Sequence, residues 1–264
     1  MRLLSYSILA LWLLAVLAGY LFKPDPNAIE LNVILHGPDV KNWFGSDDLG
    51  RDILARVLRG VEKSLLVAVS VTMITMAIGL LVGMLAGFYG GRVDAVLMQI
   101  TDVFLAFPGI LLAIAFAAVL GPGLANLILA LCLTGWVSYA RLTRGQTLSL
   151  RNRQHVQAAE SLGAGVPRLL FRHILPLMTS ILVVEATYSL ASVMIAEASL
   201  SFLGLGIQAP NASWGAMLRD GVRFMLVAPH YVLIVGACLM SLILAINLGG
   251  DYLRAKLDVK REIE

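Results

Sequence analysis

Residues 64–88 read SLLVAVSVTMITMAIGLLVGMLAGF, a stretch without a single Asp, Glu, Lys or Arg. As a helix it is long enough to cross the roughly 30 Å of hydrocarbon in a bilayer, which predicts a membrane span. Its glycines Gly79, Gly83 and Gly87 recur every four residues, and Gly91 follows beyond its end. Glycines at that spacing line one side of a helix and let another backbone come close, either within this chain or from a partner chain.

Five more apolar runs lie to either side, at 3–22, 100–120, 124–142, 174–200 and 229–250. The composition agrees, with 59% hydrophobic and 14% charged residues, where soluble domains carry about a quarter charged. Together these features predict an all-α, polytopic membrane protein of about six transmembrane helices, with no separate soluble catalytic domain. The chain divides into a first span with an extracytoplasmic segment (1–63), a core of five helices (64–250) enclosing a connection at 143–173, and a tail (251–264).

Charge fixes the expected orientation. Arg141, Arg144, Arg151, Arg153, Arg168 and Arg172 crowd one connection, and Arg254, Lys256, Lys260 and Arg261 the tail. The positive-inside bias makes both cytoplasmic, puts both termini inside, and leaves Gly121-Pro122-Gly123 and residues 205–228 outside. The segment 23–63 fits less well, since it carries six basic residues, although seven acids are interleaved with them. A second reading of the first run is a signal peptide cleaved after Ala18. Cleavage would leave five spans without moving the Arg-rich connection. The net charge of +3 is read as topology and not as nucleic-acid binding.

No P-loop, GxSxG elbow, HExxH pair or Cys/His cluster is present, so no catalytic residue and no metal site is expected. Cys132 and Cys238 lie in apolar runs and read as structural thiols, while His36, His155, His173 and His230 are scattered. An intramembrane enzyme using Glu185 or Asp102 as a base would need a second catalytic group at the same depth, and none stands out. A passive channel is the other rival, and it would conduct without an energy-supplying partner.

Residues 156–176, VQAAESLGAGVPRLLFRHILP, lead from the cytoplasmic connection into the fifth span. Ala158, Ala159 and Gly163 offer a surface on which bulk would prevent close approach, and Pro176 suits the first turn of a new helix. Along the fifth span, Glu185, Ser189, Ser192, Ala196 and Ser199 follow helical spacing and form one polar stripe. A carboxylate near mid-bilayer costs about 3 kcal/mol, so Glu185 faces protein or water. Helix-to-helix hydrogen bonding and the lining of a translocation path both remain open, whereas Glu197 reads as a local anchor. Before the second span, residues 43–52 read as a structured turn, with contact to a docking protein as the alternative.

Three separated segments resemble the integral-membrane permease subunits of ABC importers of the dipeptide, oligopeptide and nickel class. They are FGSDDLGRDILARVLRG at 44–60, LSFLGLG at 200–206 followed by Trp214-Gly215, and Gly91-Arg92-Val93-Asp94 with Asp102 and Phe107-Pro108. Gly45, Asp47, Gly50, Arg51, Asp52, Gly204, Gly206 and Trp214 are thereby motif residues with structural roles. The segment 156–176 is similar to the EAA loop of ABC importers, matching at Ala158, Ala159, Gly163, Leu175 and Pro176. Gln157 stands where that pattern has Glu and His173 where it has Ile, so shape and not a carboxylate would carry the contact.

The resemblance implies a type I ABC importer permease, the second ("C-type") subunit, in a bacterial-type plasma (inner) membrane. Its implied partners are a homologous second permease, two cytoplasmic ATP-binding subunits, an extracytoplasmic solute-binding protein and membrane lipid. ATP and Mg would be bound by the ATPase subunits, leaving this chain without a cofactor. Gln157, Ala158, Ala159, Gly163, Leu175 and Pro176 would couple to the ATPase, and Glu185, Ser189 and Ser192 are the path candidates. Di- and oligopeptides are the first substrate expectation, nickel or a metal chelate the second.

Overall fold

The computed structural model describes residues 2–22 and 25–261. Among these the architecture is helical, and the one extended pairing is an isolated bridge between Ser46 and Asp52. The expected span at 64–88 is the inner part of α2, Ile53–Tyr89, whose 37 residues reach about 55 Å at 1.5 Å per residue. That exceeds the bilayer, so its first turns, with Arg56, Arg59, Glu62 and Lys63, stand beyond the hydrocarbon.

The glycine face of α2 is used within the chain. It lies on α5 (Leu124–Leu150), where a Cβ on Gly79 or Gly83 would run into the backbone of Trp136 and Ala140. A Cβ on Gly87 would sit 2.8 Å from the Arg144 carbonyl. With the backbones this close, the Thr143 hydroxyl donates across the seam to the Gly79 carbonyl at 3.0 Å.

Where the sequence predicts one straight span at 100–120, the chain forms two helices, α3 (Gly91–Leu105) and α4 (Gly109–Leu120), bent by 83°. The cause is Pro108. It has no N–H to continue the ladder, and its ring bars the residue before it from helical geometry. The fourth span also runs on past its expected end at 142 to Leu150, ahead of a short helix α6, Gln154–Ser161.

The fifth span begins earlier than expected. One turn, α7 (Val166–Arg168), passes through a π-helical segment at Leu169–Ile174 into α8, Leu175–Phe202. Together they make a rod of 37 residues. Pro176 stands in the first turn of α8, and the wider π hydrogen bonding, with the Leu175 N–H reaching the Leu170 carbonyl, carries the rod past it.

Outside the bilayer, α9 (Trp214–Val222) leads to α10, Pro229–Arg261. The first helix, α1 (Arg2–Phe22), packs on α10, where Trp12 donates to the Ser241 hydroxyl at 3.0 Å and its ring lies 5.2 Å from that of Trp214. Four helical segments, α2, α5, α7–α8 and α10, are long and apolar enough to cross a membrane, and the bent pair makes a fifth. With α1, itself 21 residues, the six expected spans are accounted for.

Candidate coupling segment and polar path

α6 is a two-faced element. Val156 is buried with Met84, Leu150, Leu169, Leu170, Ile174 and Met178, and Ala159 and Leu175 pack against this cluster. The opposite face, with Gln157, Ala158 and Glu160, is exposed. The helix ends in a Schellman turn, the Ala164 N–H bonding the Ala159 carbonyl at 3.0 Å and the Gly163 N–H the Glu160 carbonyl at 2.9 Å.

Gly163 takes φ +84°, a left-handed conformation that a side chain strains, and none of the described residues crowds it. Its requirement is therefore conformational before it is steric. Of the three small residues read as one surface, Ala158 and Gly163 face outward while Ala159 turns half inward. Leu162, 89% exposed beside Gly163, is a feature the sequence reading missed. Only the turn geometry reveals that this leucine has no core to enter.

The arginines of this region also brace the fold. Arg144 on α5 holds Asp94 on α3 through both carboxylate oxygens, its Nη2 donating at 2.6 Å. Arg151 donates to the terminal carbonyls of α2, Gly87 and Phe88, at 3.0 Å each. Arg141 pairs with Asp102 at 2.6 Å in the open. Read from sequence they are topology signals, because their acceptors are backbone groups or distant acids that spacing does not connect.

The path candidates on α8 are not gathered at one place. Glu185 lines a cavity of about 280 Å³ with Leu142, Ser180, Ile181, Val184, Tyr188, Arg254 and Leu257. Ser189 turns to α2, its hydroxyl 3.4 Å from that of Thr72. Ser192 lines a separate cavity of about 350 Å³ between α4, α5 and α8. Glu197 is fully buried and accepts hydrogen bonds from Ser64 and Ser201 at 2.8 Å each, the local anchor expected of it.

The outer motif folds into itself. Asp47, with no exposed side-chain surface, accepts from Arg51 Nε at 2.7 Å and lies 3.3 Å from Arg56 Nε. It also accepts the backbone N–H groups of Leu49 and Arg51 at 2.9 Å. Gly45 and Gly50 make the tight bends, Gly50 at φ +73° against the backbone of Glu30. Asp52 caps α2 through the Leu54 N–H at 3.0 Å, and burial pushes its carboxyl above the ordinary value. Burial and neighbouring Asp47 push Asp48 the same way, with Arg51 acting against them.

In the second outer motif, Gly204 carries the turn that ends α8, and Gly206 is buried against Ser201. Trp214 is fully buried and donates to the Val57 carbonyl at 3.0 Å. Both motifs are thus one structure: α9 clamps the first turns of α2. Of the two readings for residues 43–52, the structured turn is what the geometry shows.

Known proteins align with this arrangement over most of its length. A glutathione transport system permease protein, GsiD, of Pectobacterium atrosepticum is 42% identical over 254 residues, which cover 96% of this chain and 84% of that protein. A probable D,D-dipeptide transport system permease protein, DdpC, of Escherichia coli strain K12 is 40% identical over 253 residues, 96% of this chain and 85% of that one. An inward-facing structure of the MetNI methionine ABC transporter superposes with a TM-score of 0.62 at 20% identity, over 75% of this chain and 95% of that one. It shares the permease fold. Residues 79–259 match the family described as binding-protein-dependent transport system inner membrane component, and the chain belongs to that family.

Proposed function

We propose that this chain forms half of the translocation path of an ATP-driven importer for di- or oligopeptides. The observation that carries the mechanism is the two-faced α6, its inner side sealed into the cluster that holds the start of α8 and its outer side open. An ATPase gripping Gln157, Ala158 and Gly163 would move α6 and α8 together, because close-packed side chains transmit displacement. Alternating access follows from rigid motion of α8, and this chain contributes no bond-making residue to it.

The partners are a homologous second permease, two ATP-binding subunits that hold ATP and Mg, and an extracytoplasmic solute-binding protein. Both termini and residues 143–173 face the cytoplasm, and α1 is retained as a packed helix. The relatives named for glutathione and D,D-dipeptide transport support peptides over nickel. The importer assembled from its subunits in proteoliposomes tests the substrate. ATP-dependent uptake of a radiolabelled dipeptide and no uptake of ⁶³Ni²⁺ is the expected result, and the reverse pattern would overturn the peptide assignment.

A further inference from the structure

The cavity between α5, α8 and α10 is lined by two groups of opposite charge, Glu185 and Arg254. Glu185 lies ten residues beyond Leu175 on α8, about 15 Å along the helix and so within the membrane's cytoplasmic half. It is half-buried and makes no hydrogen bond or ion pair with the described residues. An ionisable side chain at such depth without a partner has a cost that packing does not repay, which marks it as serving a ligand. Nearby, Asp251 is already engaged, accepting from the Tyr188 hydroxyl at 2.5 Å. Arg254 also interacts with that hydroxyl. A guanidinium has five N–H donors in a fixed fork and can hold more than one partner at once, a carboxylate among them.

We infer that this cavity is a substrate site, taking the ammonium end of a short peptide at Glu185 and its carboxylate end at Arg254, with Tyr188 and Asp251 holding Arg254's side of the wall. The inference rests on the peptide reading above. A free peptide is a zwitterion, and the cavity presents the opposite charge to each of its ends. Ser180 and Ile181 on the same wall lie one to two turns from Leu175, in the cluster that seals α6. Movement of the coupling segment therefore changes the shape of this cavity first, which suits a site that must release its cargo to the cytoplasm.

The test uses the complete importer in proteoliposomes, with its solute-binding protein saturated with trialanine. Failure of the unmutated importer to take up trialanine would strike the peptide reading itself. Given that uptake, Glu185→Gln and Arg254→Gln should each lower it about tenfold or more, the size of effect lost with one charge-assisted hydrogen bond. ATP hydrolysis stimulated by the loaded binding protein should persist in both, and Glu185→Asp should recover part of the uptake. Uptake at the unmutated rate in both Gln variants would overturn the site. Loss of uptake together with ATP hydrolysis or subunit co-purification would overturn it as well, by assigning the two residues to assembly.

Discussion

At the scale of single residues, the outer motif rests on Asp47, one carboxylate shared by two nearly buried guanidinium groups. Asp47→Asn takes from Arg56 the carboxylate it pairs with and leaves Arg51 only the longer contact to Asp48, 3.5 Å away, and should cost about 3 to 5 kcal/mol, read as a lower thermal midpoint of the purified protein. Asp52 behaves differently. Asp52→Ala removes the cap and costs about 1 kcal/mol, whereas Asn caps as well as Asp does. Because burial raises the Asp52 carboxyl, its contribution to stability is fully present below the ordinary carboxylate value and is lost as pH rises through the raised one. Asp52→Asn, uncharged throughout, should therefore melt above the unmutated protein at neutral pH, and the gap should close in acid. A gap that widened in acid would contradict this sign.

At the scale of elements, the α2–α5 seam admits no side chain. Gly83→Leu should overpack it by about 2 kcal/mol or more, seen as loss of folded protein on detergent gel filtration, while Gly91→Leu, with nothing near it, serves as the strained but uncrowded control. This seam was legible in the sequence as a glycine stripe, because spacing alone puts Gly79, Gly83 and Gly87 on one face. Its partner was not, since nothing in residues 64–88 says which of five other runs it meets. The bend at Pro108 was readable from the residue type, yet the apolar run across it argued for one span. The continuation of α5 to Leu150 and the binding of Arg151 to the end of α2 depend on contacts 63 and 64 residues apart, which no local pattern records. Arg151→Ala should free those carbonyls and increase hydrogen exchange at the inner end of α2, leaving its outer turns unchanged.

At the scale of the whole molecule, the two ends do different work. One end is a closed clamp of α1, α2, α9 and α10 around Trp214, with Asp47, Arg51 and Arg56 paired inside it, and the opposite end exposes a short helix mounted on the long α7–α8 rod. The helical spans followed from apolar length, and the charge bias gathered the arginines of residues 141–172 on one connection. The division of Glu185, Ser189 and Ser192 among three surroundings did not, because helical spacing gives a shared face but not the neighbours along it. The central claim is that α6 transmits ATPase motion to α8. It is tested most directly by Ala158→Trp, which adds bulk to an exposed position and leaves the buried side of α6 intact. Measured on the assembled importer, ATP-driven peptide uptake should fall to background, with this subunit still folded and paired to the second permease but no longer retaining the ATPase. Uptake at the unmutated rate with the ATPase retained would contradict the account.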